Sequence, residues 1–133
     1  MSELGRSRHR ARERALEIFY ESAIKERPVA VIVTELNTRP DEYTLSLLTS
    51  AESHQPRANE LISEFSIDWP LERIALVDRL IMTLAVGEML MENPPPPAVI
   101  LDEAVELAKV FSTDGSSSFV NGVLSSIAQT VLE

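Results

Sequence analysis

Arginine is the residue type whose spacing could do chemistry in this chain. Five arginines occupy every second position near the N-terminus: Arg6, Arg8, Arg10, Arg12 and Arg14. On a helix, residues four apart lie on the same side, so two interleaved rows would together form a broad basic face. Guanidinium groups bind phosphates through paired hydrogen bonds and stack on bases. The cluster therefore predicts binding of a polyanion.

The charge distribution confines that binding to one end of the molecule. The 133 residues carry a formal charge of −9. Residues 1–14 hold five arginines and two glutamates, so their charge is +3 and the remainder carries −12. An acidic body repels nucleic acid, and only the basic end attracts it. If five arginines each neutralise one phosphate of a single strand, log K should fall against log salt with a slope of about −3.5.

The other reactive side chains predict neither an enzyme nor a metal or cofactor site. The two histidines, His9 and His54, lie in unrelated segments, and the chain has no cysteine. No Glu-x-x-His pair, HExxH, P-loop or GxSxG motif is present. The acidic group Asp102, Glu103 and Glu106 is best interpreted as the solvated face of a helix.

Phe119 is the best-placed aromatic residue for stacking on an unpaired base. Recognition of single-stranded RNA commonly uses such a platform, and aromatic residues make up only 5% of the chain. Phe119 begins a helix beside a loop of small residues. A place in the core is an equally good interpretation of the same position.

Apolar periodicity predicts helices in the N-terminal part. The first runs from about Arg8 to Lys25, after a flexible basic tail at residues 1–7. A second, short helix starts at Pro28 and ends at about Thr38, although the β-branched run Val29–Val33 leaves a strand open.

The middle of the chain predicts further helices. One spans Tyr43 to about Ser53, and Pro56 either kinks it or begins another. The run Asp68-Trp69-Pro70 breaks the pattern before a short helix over Leu71–Val77. Asp78 to about Glu92 follows as a strongly apolar helix, which we expect at the centre of the core.

Four prolines, Pro94–Pro97, precede the C-terminal helices. Two interpretations fit this run: a stiff spacer whose last proline starts a helix, and a ligand for a proline-binding domain. We favour the spacer. Helices are predicted over Ala98–Phe111 and Ser117–Leu132. The loop Ser112–Ser118 between them is expected to supply a serine N-cap.

These elements predict an all-α protein of six or seven helices in a single domain. The most apolar stretch, Ile74–Met91, contains Asp78, Arg79 and Glu88, so we expect no membrane span. The basic N-terminus lacks a following apolar segment, which argues against a secretory signal. The absence of cysteine fits the cytoplasm.

Three segments together make a more specific pattern. They are RHRARERALEIFY (Arg8–Tyr20), DRLIMTLAVGEML (Asp78–Leu90) and VILDEAVELAKVFSTDGSSSFVNGVL (Val99–Leu124). This pattern resembles the NusB family of bacterial transcription antitermination factors. The run DEAVELAKVF, followed after a short loop by FVNGVL, carries most of the resemblance, whereas residues of about 28–68 fit only in helical pattern.

The resemblance implies a fold and a function. The fold would be two packed three-helix subdomains, residues 8–67 and 68–133, that share the central apolar helix. The function would be binding of boxA RNA in ribosomal-RNA leader transcripts together with NusE, a small-subunit ribosomal protein. This binding would take place within an RNA polymerase antitermination complex and would support processive transcription of ribosomal-RNA operons.

The resemblance also implies roles for particular residues. Arg8, Arg10 and Arg12 fall on the family's arginine-rich RNA-binding motif, which Arg14 extends. Phe119 falls on a position that resembles its RNA-stacking residue. The positions expected to face NusE are Tyr20, Glu72 and Asp78.

Some positions depart from the family pattern. Gly115, Ser117 and Ser118 replace charged residues in the loop before Phe119, and Thr83 stands where a basic residue is common. We expect weaker RNA contact there. An alternative is therefore a protein-interaction module with weak or lost RNA binding. A detached NusB-like domain of an RNA cytosine methyltransferase and a homodimer that covers the arginine face also stay open.

Overall fold

The computed structural model describes residues 2–67 and 69–132, and within them the protein is all helical. This confirms the predicted fold class. Asp68, part of the predicted Asp68-Trp69-Pro70 break, lies outside the described residues, as do Met1 and Glu133. The helices are α1 (Glu3–Lys25), α2 (Val29–Thr34), α3 (Glu42–Ser53), α4 (Gln55–Phe65), α5 (Leu76–Met89), α6 (Pro97–Phe111) and α7 (Ser116–Val131), with a 3₁₀ turn at Leu71–Arg73.

Helix α1 begins five residues before its predicted start at Arg8. The Ser2 hydroxyl accepts a hydrogen bond from the Gly5 backbone N–H at 2.9 Å, which caps the first turn. The predicted flexible tail is therefore wrong for residues 3–7, which are helical. The arginines consequently lie on a continuous helix, and this fixes their angular positions relative to one another.

Both prolines at which the sequence left alternatives open mark the start of a helix. Val29–Thr34 forms a helix after Pro28, so the alternative of a strand is wrong, and this helix ends four residues before the predicted Thr38. Pro56 lies in the first turn of α4 and begins a new helix instead of kinking α3. The loop between α2 and α3 is thus longer than the sequence pattern predicts.

The predicted short helix at Leu71–Val77 does not form as one element. The 3₁₀ turn ends at Arg73, the backbone is extended at Ile74, and α5 begins at Leu76. Trp69 Nε1 donates to the Arg73 carbonyl at 3.1 Å and stabilises this turn.

Helix α5 lies at the centre of the core, as predicted, and contacts α1, α3, α4, α6 and α7. Helix α3 approaches α5 closely at Gly87, where an added Cβ would lie 2.8 Å from the Ala51 backbone nitrogen. Ser50 Oγ donates to the Gly87 carbonyl at 2.6 Å across the same contact. The predicted division into two subdomains stays a prediction.

The proline run ends as the spacer interpretation predicts, because Pro97 is the first residue of α6. Helix α7 starts at Ser116, earlier than predicted, after Gly115 with φ +89°. The predicted serine N-cap is wrong, since the helix has no side-chain cap and the Ser116 hydroxyl binds a carboxylate instead. Among the described residues, none of the helices combines the length and the apolar character that a membrane span requires.

Candidate nucleic-acid interface

The arginines of α1 occupy two sides of the helix and do not form the single broad face that their spacing predicts. Successive residues turn by about 100°, so Arg8 and Arg10 are about 160° apart around the axis. Arg8 and Arg12 are directed towards α3, α5 and α6. Arg10 and Arg14 instead border a groove beside the loop that precedes α3.

Arg12 lies in the core, with 6% of its surface exposed. Its Nε and Nη2 donate to the two oxygens of Glu88 at 2.9 and 2.7 Å, and its Nη1 donates to Glu103 at 2.8 Å. Burial lowers the pKa of Arg12, but the hydrogen bond and charge of Glu88, with the charge of Glu103, outweigh it and raise the pKa. The prediction that Arg12 belongs to an exposed basic face is wrong, because two carboxylates already occupy its guanidinium.

Glu88 and Tyr43 are site residues that sequence reasoning missed. Tyr43 Oη donates to Glu88 Oε2 at 2.5 Å. Burial, together with the hydrogen bond and charge of Glu88, raises the pKa of Tyr43, so the phenol is neutral at physiological pH. A carboxylate inside the apolar pattern of α5 is the signal that indicates a buried cationic partner.

Arg8 is held against the ring of Tyr43. The guanidinium carbon lies 4.7 Å from the ring centroid, which is cation–π geometry. The Arg8 side chain is half-buried and forms no ion pair within the described residues. Its hydrogen-bonding edge is therefore available to an anion, whereas its face is occupied.

The acidic group on α6 divides between two environments. Asp102 and Glu106 are exposed, as predicted for a solvated face. Glu103 is largely buried and also accepts a 2.9 Å hydrogen bond from His9 Nδ1. Glu103 therefore joins α1 to α6, and the prediction of a solvated side chain is wrong for it.

Phe119 lies at the other end of α5 from the arginines. It is half-buried against the core and lines an open cleft of about 490 Å³ with Trp69 and Arg73. Arg12 marks the Glu88 end of α5 and Phe119 lies near Asp78, so the two regions are separated by about 15 Å of helix. The predicted stacking residue is accessible from the cleft, and the arginine side chains of α1 do not line it.

Asp78 is buried, with 5% of its surface exposed. It accepts hydrogen bonds from Ser112 Oγ at 2.6 Å and from Ser116 Oγ at 2.9 Å. The expectation that Asp78 faces a partner directly is wrong in this geometry. Its carboxylate instead joins the start of α5 to the segment between α6 and α7.

Tyr20 and Glu72, the other positions expected to face a partner protein, are exposed. Tyr20 borders a shallow depression of about 260 Å³ with Leu16, Val77 and Phe111. Because Val77 is in the first turn of α5 and Glu72 is in the turn just before it, both lie near the same end of the helix. Exposed apolar side chains at this depression are typical of a protein-binding surface.

Thr83 does not lie on the surface where a basic residue would meet RNA. It is buried, and its hydroxyl donates to the Arg79 carbonyl at 2.8 Å. The expectation that its neutral side chain weakens RNA contact therefore finds no geometric support. Among the described residues, no group of three His, Cys, Asp or Glu side chains is arranged to hold a metal ion.

The sequence model of the NusB family matches residues 9–129. The transcription antitermination protein NusB of Thermobifida fusca is 40% identical over 127 residues, which cover 92% of this chain and 89% of that protein. The chain belongs to the NusB family. The match includes Arg10, Arg14 and Phe119, so both surfaces lie within the NusB region.

Solved NusB structures have the same fold. T. maritima NusB superposes with a TM-score of 0.81 at 29% identity, covering 92% of this chain and 90% of that one. A structure of the antitermination factors NusB and NusE in complex with double-stranded RNA matches with a TM-score of 0.79 at 25% identity, covering 94% of this chain and 98% of that one. That complex contains a NusB protein together with NusE and double-stranded RNA.

Proposed function

We propose that this chain is a transcription antitermination factor that binds boxA RNA of ribosomal-RNA leader transcripts together with NusE. The observation that carries the proposal is the set of arginines on α1 without an ion-pair partner among the described residues: Arg8, Arg10 and Arg14. On a chain of net charge −9, such a concentration of available guanidinium groups favours a phosphate backbone. Membership of the NusB family supports the same function.

In this role the chain holds an RNA strand in place and catalyses no reaction. Arg10, which is exposed, and Arg14, which is half-buried, bind phosphates through their guanidinium groups, and Arg8 does so from its support on the Tyr43 ring. Phe119 offers a ring to an unpaired base at the far end of α5. A strand that reaches both regions has to run along the molecule, so its register is fixed at two points.

The surface near the start of α5 is proposed to face NusE. Tyr20 and Glu72 supply exposed contacts, and Asp78 acts through Ser112 and Ser116 by holding the adjacent segment. Assembly with RNA polymerase on the nascent transcript would place the chain in the bacterial cytoplasm. In this proposal, a homodimer that covers the arginine rows does not bind RNA.

Replacing Arg10 and Arg14 with glutamine tests the RNA surface. We expect the double variant Arg10→Gln/Arg14→Gln to bind labelled boxA RNA roughly 10- to 100-fold more weakly, because two phosphate contacts are lost. Fluorescence anisotropy at fixed salt measures the affinity with and without NusE. Analytical ultracentrifugation under the same conditions determines whether free chains are monomers or dimers.

The matched control is Arg57→Gln/Lys109→Gln, which removes the same charge from exposed ion pairs on α4 and α6. It should bind boxA like the wild type. Equal binding by the two double variants would contradict the proposal. If NusE bound normally and RNA affinity did not depend on this chain at all, the protein-interaction module would be the correct function.

A further inference from the structure

A basic groove extends the arginine surface beyond helix α1. It lies between α1 and the loop that joins α2 to α3, and its volume is about 370 Å³. Arg10 and Arg14 line one wall, and Arg39 with Thr38 lines the other. Arg39 is 29 positions after Arg10 and 25 positions after Arg14 in the chain, so only the fold brings it to them.

The groove has positive charge that the described protein does not neutralise. Arg10, Arg14 and Arg39 form no ion pair with the described residues, whereas Lys25, Arg27, Arg57 and Lys109 each pair with a glutamate. The one carboxylate in the lining, Asp41, caps α3 by accepting hydrogen bonds from the Thr44 backbone N–H at 2.8 Å and the Thr44 hydroxyl at 2.7 Å. The groove thus carries a net formal charge of +2 on an acidic protein.

The loop fixes where Arg39 lies. Pro40 is buried, and a residue that precedes proline is restricted to extended backbone. Asp41 is tied to the first turn of α3 by its cap, and the Thr44 hydroxyl also lies 3.5 Å from the Ala11 carbonyl of α1. The exposed Arg39 side chain therefore projects from a short segment that is anchored on both structures forming the groove.

We infer that this groove binds a backbone phosphate of the RNA strand, with Arg39 as a phosphate-binding residue alongside Arg10 and Arg14. The inference rests on the proposed function and extends its surface to a second element. An RNA strand is the favoured occupant because the groove lining includes Thr44 in the first turn of α3, next to Tyr43, and Arg8 of α1 is stacked on the Tyr43 ring. The contact is with the sugar–phosphate backbone, so it adds affinity without sequence preference.

The experiment compares Arg39→Gln with Arg57→Gln, which removes one charge from an exposed pair on α4. Each is titrated with labelled boxA RNA and with a scrambled strand of the same length, across a range of salt. We expect Arg39→Gln to weaken both RNAs by about the same factor, roughly three- to tenfold, and to make the log K against log salt slope shallower by about 0.7. Arg39→Lys should restore the slope, because it keeps the charge, and recover only part of the affinity, because it loses the fork.

Three outcomes would overturn the inference. Arg39→Gln could bind RNA with the affinity and slope of Arg57→Gln while Arg10→Gln/Arg14→Gln is impaired, in which case the proposed function stands without Arg39. Arg39→Gln could instead weaken NusE binding in the absence of RNA and leave RNA affinity intact, which would make the groove a protein contact. If the α1 double variant also bound RNA normally, the proposed function would fail as well.

Discussion

Glu88 is a buried charged side chain near the end of α5, a helix that is mostly buried and largely apolar. It accepts hydrogen bonds from Arg12 on α1 and Tyr43 on α3, so one carboxylate joins three helices. An ion pair of this kind offsets the cost of desolvating its own members, and its effect is felt when one partner is removed. Because Tyr43 also supports Arg8, the same carboxylate positions an arginine that is proposed to bind RNA.

Glu88→Gln should lower the free energy of unfolding by about 3 kcal/mol, since Arg12 loses its closest counter-charge while Glu103 remains. Urea denaturation followed by circular dichroism measures the change. The control is Glu92→Gln, an exposed residue just beyond α5, which should change stability by less than about 0.5 kcal/mol. A variant at position 88 as stable as this control would show that the buried cluster contributes nothing to the fold.

The sequence predicts the helices better than it predicts the contacts between them. Apolar periodicity predicts α3, α6 and α7 to within a few residues, because their buried stripes are continuous. The same periodicity cannot show which row of arginines on α1 faces inward, since that depends on Glu88 and Glu103 from distant helices. Arg39 is unpredictable for a similar reason: its loop lacks a periodic pattern, and its proposed role depends on α1 passing beside that loop.

The segment between α6 and α7 is held by one side chain of α5. Asp78 uses both carboxylate oxygens, one for Ser112 and one for Ser116. Asp78→Asn keeps the shape but leaves only one accepting oxygen, so one of the two hydroxyls loses its acceptor. We expect a loss of stability of about 1–3 kcal/mol and faster amide hydrogen exchange in the peptide that contains residues 112–119.

Hydrogen exchange with mass spectrometry separates this local effect from general destabilisation. Peptides from α1 should keep their wild-type protection in the Asp78→Asn variant, and Asp102→Asn, on the exposed face of α6, should leave both regions unchanged. A uniform increase across the chain would contradict a local anchoring role for Asp78.

Across the molecule, the arginines proposed to bind phosphates and the aromatic ring proposed to stack on a base lie at different ends of α5. The guanidinium groups proposed to meet phosphates are Arg8, Arg10, Arg14 and Arg39. Arg12 lies in the core and Arg39 is added, so this proposed set differs from the five arginines that the sequence suggests. Four phosphate contacts on a single strand correspond to a slope of about −2.8 in log K against log salt.

Phe119→Leu should separate the two kinds of contact. Leucine keeps an apolar side chain against the core but removes the ring, so boxA affinity should fall by the equivalent of about 1–3 kcal/mol for one lost stacking contact. The salt slope of the isolated chain should stay at about −2.8, because no phosphate contact is lost. Combined with Arg10→Gln/Arg14→Gln, the free-energy losses should add, since the two regions are about 15 Å apart along α5 and share no partner. Wild-type affinity for Phe119→Leu would confine RNA to the arginine end, and a changed slope would mean that the strand shifts when the ring is absent.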